Sequence, residues 1–348
     1  MPAFVSAPRT AFGAHKVTTD EIADDIRTHQ HGHPRLTAIL RVVDNCGVSS
    51  RHFSRPLNSP TVSGTADVHE RTQAAFDDAV ALSEQAATAA LDAAGLTAGD
   101  IDAIVTTHST GWAVPNLDVH LMARLGLRPT VRRVALTTVA CAGGVQGLIR
   151  AADLVAVRPD DKVLVVAAEV LSTSYNHSAT TIESMIYKAL FADAGAAAVV
   201  TGTPLTSGLA IDDTFEYTLP GSLDRYRGRL DARGMHFDST KQAPSTAAKT
   251  LPALTEWLGP RPVDFAVIHP GSHRIIADTA EALGLDAEAA RHSVDSLTDE
   301  GNMGAVSVFR VLERTHADPP EDGARGVAVA YGPGFITAGL RCHWRSVP

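Results

Sequence analysis

Three pairs of segments recur in the same order at nearly constant spacing, and this recurrence restricts the fold more than any other feature. Val263–His269 (VDFAVIH) repeats the pattern of Ile101–Thr107 (IDAIVTT) 162 residues later. Gly301-Asn-Met-Gly and a helical pattern over Ala305–Arg314 answer Cys141-Ala-Gly-Gly and its helix over Val145–Ala156 at an offset near 161. Gly326–Ala330 (GVAVA) answers Val163–Ala167 (VLVVA) at 163. The apolar runs, rich in branched residues, are typical of buried parallel strands. Further strands are expected over Arg132–Thr138 and Lys162–Val170. A long helix is expected over 67–95, where Phe76, Val80, Leu82, Ala86 and Leu91 recur at helical spacing and Gly95 stops it. Alternating strands and helices imply an α/β fold with a parallel or mixed sheet. A constant offset reads as internal duplication, with halves at 1–205 and 206–348.

The chain is 348 residues long and carries a net charge of −9, so non-specific nucleic-acid binding is not its expected job. With aromatics at 5%, it also lacks a stacking platform for single strands. Contiguous apolar runs fall far short of the ~18 residues a membrane span needs. Met1–Gly13 lacks the basic start and apolar stretch of a signal peptide. A cytoplasmic protein is expected. Cys46, Cys141 and Cys342 are too few and too scattered for a disulfide scaffold or a zinc cluster. Thr28-His-Gln-His-Gly-His33 looks like a metal tract, but no carboxylate or cysteine partner is spaced with it, so no metal is expected.

In α/β folds, ligands sit at strand ends, where the duplication brings Cys141, His269 and Asn302 to equivalent points. Taken singly, each has a plain alternative: inert core thiol, satisfied turn histidine, helix cap. Taken jointly, they point to chemistry. Ala142-Gly143-Gly144 lets a helix N-terminus face a ligand, and the amides and dipole there would favour a nucleophilic thiolate at Cys141.

At these residues the chain resembles the type III polyketide synthases, the chalcone-synthase-like branch of the thiolase superfamily. The resemblance spans nearly the whole length. Its anchors are Thr110-Gly-Trp-Ala-Val-Pro-Asn-Leu-Asp, Leu125-Gly-Leu-Arg-Pro, Cys141-Ala-Gly-Gly, Ala189-Leu-Phe-Ala-Asp, Ile268-His-Pro-Gly-Ser, Gly301-Asn-Met-Gly and Tyr331-Gly-Pro-Gly-Phe. Residues 105–200 look most like actinobacterial germicidin and alkylpyrone synthases. The resemblance implies a thiolase-like fold, duplicated βαβαβ halves in an αβαβα layering. It implies an acyltransferase that condenses an acyl starter, on CoA or a carrier protein, with malonyl-type CoA and then cyclises the chain. CoA thioesters would be substrates, with no metal or organic cofactor, and the enzyme would be a homodimer with Val114 on the loop reaching the partner's cavity.

Residue by residue, Cys141 would carry the acyl chain, and His269 would keep the thiol ionised as an imidazolium partner. His269 and Asn302 would donate hydrogen bonds to the malonyl thioester carbonyl. Phe191 and Phe237 would be gatekeepers. Ser109, Ser174, Tyr187, Gly228 and Gly304 would line the cavity, with the bulk of Tyr187 limiting extension. Among Arg27, Arg35, Arg41, Arg51 and Arg55, a patch able to hold CoA phosphates, Arg41 fits the family's phosphate-contacting helix best and Arg35 joins it. Departures from the plant pattern are Ala192 in ALFAD, Ala330 before Tyr331, and Gly304 where plant enzymes carry serine.

Rivals are an initiating ketoacyl-ACP synthase, whose His-Gln-Ala-Asn signature is missing here, and a simple acyltransferase. A hydroxymethylglutaryl-CoA synthase would need a glutamate beside the thiol, which the motifs do not suggest. An inactive partner subunit would be expected to have lost Cys141.

Overall fold

The computed structural model describes residues 2–240 and 242–347. Its strands are β1 (Ala3–Val5), β2 (Arg9–Phe12), β3 (His15–Thr18), β4 (Ser50–Phe53), β5 (Ala103–His108), β6 (Arg132–Thr137) and β7 (Val163–Val170). They continue with β8 (Asp193–Thr201), β9 (Gly208–Thr218), β10 (Tyr226–Asp231), β11 (Gly234–Ser239), β12 (Phe265–Ile268), β13 (Arg325–Gly332) and β14 (Ile336–Arg345). Ten form one mixed sheet in the order β12-β13-β14-β9-β1-β8-β7-β5-β6, with β2 attached to β8. β3 with β4, and β10 with β11, make separate ribbons.

The repeat is written in the pairing. β5 and β7 run parallel and β7 is antiparallel to β8; β12 and β13 run parallel and β13 is antiparallel to β14. Helix Gly143–Val157 leads into β7 as helix Ser307–Ala317 leads into β13. β6 has no counterpart in the second half, where helices His273–Ala282 and Arg291–Glu300 occupy that interval.

β7 is buried along its whole length, and strand alternation sends its side chains to two cores. Val163, Val165 and Ala167 join Leu148, Ile149, Val308 and Phe309 in a central core. Leu164, Val166 and Ala168 join an outer core with Ala75, Ala79 and Ala86 of helix Val68–Ala94. In the second half, Ala328 and Ala330 face the central core, and Val327 and Val329 a third. The two equivalent helices are therefore sandwiched between the two sheet halves, with further helices outside, giving five layers. Helix Val68–Ala94 starts where the Asp67 carboxylate accepts from Glu70 N–H and stops at Gly95, which takes φ 66°.

Boundaries differ from the sequence expectation where local turns intervene. β5 begins at Ala103 because Ala98–Asp100 first forms a 3-10 turn boxed by Thr97 and Asp100. The helix expected from Ala305 begins at Ser307, after a 3-10 turn over Gly304–Val306. Ala140–Val157 is long and apolar enough, by composition, for a membrane span, although its apolar residues are not contiguous. It is half-buried in the protein as part of the central layer.

Candidate active site

After β6 the chain must reverse into helix Gly143–Val157. Thr138 and Ala140 take φ of 61° and 49°, a left-handed conformation costing a side-chain-bearing residue ~1–2 kcal/mol. Ala140 N–H donates to the Ser109 hydroxyl at 2.8 Å, which helps hold the reversal. Cys141 thus stands in the 3-10 turn Ala140–Ala142, immediately before the helix. A Cβ on Gly144 would lie 2.2 Å from the Ala305 carbonyl oxygen, so only glycine lets the two repeated helix starts touch. Gly332, ending β13, also packs closely on Ala142, where a Cβ would lie 2.9 Å from the alanine's own. His269 leaves the sheet after β12, its N–H donating to Val329 of the neighbouring β13 at 2.8 Å. The sheet therefore brings all three residues to one end of the molecule.

Asn302 is the most tightly held. Its N–H donates to Leu190 O at 2.8 Å, and its carbonyl accepts from Ala192 N–H at 3.0 Å, bridging it in parallel to Phe191. Its Oδ1 accepts from Gly304 N–H at 2.9 Å, which turns the amide Nδ2 outward as a donor. The amide is near enough to Cys141 to lower its thiol.

Cys141 is half-exposed by surface yet enclosed in depth, as at the floor of a cleft, while His269 and Asn302 are 1% and 4% exposed. Burial pushes the Cys141 thiol up to about 12, with the Glu169 carboxylate adding to the rise and the Asn302 amide opposing it. Burial also pushes His269 down to about 3. Burial thus opposes an isolated charge on either group, so a thiolate–imidazolium pair would rest on the mutual attraction of its two charges. Both His269 ring nitrogens are buried and unpartnered, so the imidazole is free to take or give a proton.

Glu169 was missed in the sequence, although a lone acid inside the buried run VLVVAAEV is itself a signal. It is 1% exposed and accepts from Ser109 N–H at 3.2 Å. Burial raises its carboxyl to about 7, against hydrogen bonds from Ser109, Thr110 and Ala305 that lower it. Gly304 takes φ 57°, and a Cβ there would sit 2.9 Å from Glu169 Cγ. The missing serine hydroxyl is therefore also room for this acid. The glutamate near the thiol, named above as the mark of a different condensing enzyme, is present after all.

Phe191, Phe237 and Tyr187 form one aromatic cluster, with ring centres 5.3 Å apart for Phe191–Phe237 and 4.8 Å for Tyr187–Phe191. Tyr187 and Tyr226 both lie close enough to Cys141 for a thiolate there to raise their phenols, burial being the larger cause; Tyr226 was not foreseen. Ser109 and Ser174 are less free than expected of cavity residues. Ser109 braces the cysteine turn, and Ser174 donates back to Leu171 O at 2.8 Å. Gly228 is exposed on β10 opposite Phe237.

The five-arginine patch does not survive folding. Arg27 pairs with Asp24 and Arg55 with Asp78. Arg51 is fully buried, donating to Ala189 O and Thr19 Oγ1. Arg35 and Arg41, at the start and within helix Leu36–Asp44, are exposed and without an ion-pair partner among the described residues.

Comparison with known proteins agrees with this architecture. Residues 48–204 match the family described as chalcone and stilbene synthases, N-terminal domain, and residues 211–348 its C-terminal domain. The chain is 33% identical to 1,3,6,8-tetrahydroxynaphthalene synthase of Streptomyces coelicolor, covering 95% of this chain and 89% of that one. It is 29% identical to phloroglucinol synthase of Pseudomonas fluorescens, covering 97% and 98%. The solved structure of germicidin synthase from Streptomyces coelicolor superposes with a TM-score of 0.91 at 32% identity, covering 99% of this chain and 100% of that one.

Proposed function

Because the chain belongs to the chalcone and stilbene synthase family and is a type III polyketide synthase, we propose that Cys141, His269 and Asn302 carry its decarboxylative condensations. His269 takes the Cys141 proton as sulfur attacks the starter thioester, forming acyl-Cys141 and releasing CoA thiol with that proton. Burial disfavours either charge alone, and in the transfer the mutual attraction of the pair offsets the dry surroundings. Malonyl-CoA then loses its carboxylate as carbon dioxide. The electron pair left behind delocalises onto the thioester oxygen, where His269 and the Asn302 amide donate to it. The enolate carbon attacks the acyl carbonyl, a carbon–carbon bond forms, and the Cys141 sulfur leaves. The thioesters themselves supply the stabilised carbanion, so this reading needs no metal or organic cofactor.

The observation that carries this assignment is the meeting of Cys141, His269 and Asn302 at one end of the sheet, with Asn302 locked by its main chain to Phe191 and by its Oδ1 to Gly304 N–H. The named relatives make phenols or pyrones, and the Tyr187 stack against Phe191 supports a short chain and a small product of those classes. Arg35 and Arg41, exposed and without ion-pair partners among the described residues, support a CoA-phosphate contact on this helix. Trp112 and Val114, 72% and 81% exposed on the loop leaving Ser109, support a homodimer in which this loop meets the partner. A cytoplasmic enzyme follows from its CoA thioester substrates.

The test is a panel of acyl-CoAs with malonyl-, methylmalonyl- or ethylmalonyl-CoA, read by product mass and carbon dioxide release. Several condensations with cyclisation are expected, and Cys141→Ala should abolish the acyl-enzyme mass. A single condensation product handed to a carrier protein would favour the ketoacyl-ACP synthase reading. Turnover without carbon dioxide would favour a simple acyltransferase.

A further inference from the structure

Outside the catalytic group, folding gathers Asp25, His29 and His177. Asp25 and His29 stand one turn apart on helix Thr19–His29, and His177 arrives from the segment between β7 and helix Ile182–Leu190. Asp25 Oδ1 lies 3.3 Å from His29 Nδ1 and 3.1 Å from His177 Nε2, and the three donor atoms lie within 4.8 Å of one another. The imidazoles stack with centres 3.7 Å apart and planes 23° from parallel. His177 Nε2 is buried and, despite its proximity to Oδ1, makes no aligned hydrogen bond. His29 Nδ1 also lies 2.9 Å from the Asp25 main-chain oxygen, a contact it would give up to bind an ion.

We propose that Asp25, His29 and His177 form a binding site for a divalent cation of the zinc class. Two imidazoles and a carboxylate are the donor set such ions select. Ligand atoms around a tetrahedral ion with bonds of about 2.0–2.1 Å sit about 3.3 Å apart, which two of the three separations already match; binding requires the half-exposed His29 ring to turn out of its stack on His177 so that both lone pairs can point at the ion. Outer partners hold the donors. Tyr175 O–H donates to Asp25 Oδ2 at 2.8 Å, Gln30 Nε2 to His177 O at 2.6 Å, and His177 N–H to Ser63 O at 2.8 Å. His29 is partly exposed, which leaves water access for a fourth ligand. The neighbouring Lys188 donates to Ala179 O at 3.2 Å, which directs its ammonium to that carbonyl. The bound ion would tie helix Thr19–His29 to the approach to helix Ile182–Leu190, which carries Tyr187 and ends at Phe191. The histidine tract thus has its carboxylate in Asp25, one turn before it.

The test strips the full-length protein with chelator, then titrates Zn2+ or Mg2+ by calorimetry and thermal melting, and Co2+ by visible absorption. One Zn2+ per chain is expected, with a melting rise of about 3 °C or more near saturation, tetrahedral Co2+ bands and no Mg2+ effect. Asp25→Asn, His29→Gln and His177→Ala should each weaken Zn2+ binding at least about tenfold, while His31→Ala with His33→Ala should leave it intact. The half-exposed His29→Gln keeps the test decisive if His177→Ala fails to fold. No saturable Zn2+ binding, binding lost with His31 and His33, or binding indifferent to His29→Gln would overturn the proposal and leave a hydrogen-bonded acid–imidazole cluster.

Discussion

Replacing Glu169 by glutamine should change how the protein's stability depends on pH. Its carboxyl is raised from an ordinary 4.5 to about 7, chiefly by burial. The folded protein therefore keeps a proton that the unfolded chain loses between those values. Stability from this group is complete below about pH 4.5 and is lost as pH rises through about 7. The full difference corresponds to roughly 3 kcal/mol. Oε2 takes the Ser109 N–H while Oε1 has no side-chain partner, so an amide with nitrogen at Oε1 reproduces the protonated acid without titrating. Asp193, raised to about 6 by burial, contributes in the same sense and remains in the variant. Melting curves from pH 5 to 8 should show the wild-type midpoint falling by ~3 °C more than that of Glu169→Gln. The variant should also alkylate Cys141 with iodoacetamide at lower pH, because a charge that raises the thiol has gone. Superimposable pH profiles for the two proteins would refute the reasoning.

Asn302→Ala removes the amide donor and should cut kcat about 100- to 1,000-fold, with the KM for malonyl-CoA little changed; an effect confined to KM would contradict its role. Tyr187→Gly takes a ring from the Phe191 stack and should lengthen the product, and an unchanged product mass would sink that inference. Gly304→Ser places a side chain at φ 57° and a Cβ 2.9 Å from Glu169 Cγ, costing about 1–3 kcal/mol by denaturant unfolding. Arg41→Ala, alone or with Arg35→Ala, should raise the KM for malonyl-CoA several-fold and leave kcat intact; an unaltered KM would remove these arginines from the CoA site.

Much of the architecture was readable from local pattern. Runs such as Val163–Val170 are apolar on both faces because the strand is buried on both, and helix Val68–Ala94 announces its start at Asp67 and its stop at Gly95. The repeat offset carried further, since equivalent elements must occupy equivalent places. That is why Cys141 and Asn302 could be matched before either was seen at its helix start.

What the sequence alone determined, then, was the set of repeated elements and which polar residues stand at their ends, because those depend on nearest neighbours along the chain. Only the tertiary structure decided their chemistry. The positive charge counted over residues 27–55 dissolved because Arg51 is drawn into the core and Arg27 and Arg55 find acids. Depth pushes the Cys141 thiol up, and so does Glu169 from a strand whose charge effect no local pattern reports. Asp25 and His177 met because two segments about 150 positions apart share a surface. Burial and long-range pairing set the free energy of a charge, and both are properties of the packed molecule rather than of any stretch of its chain.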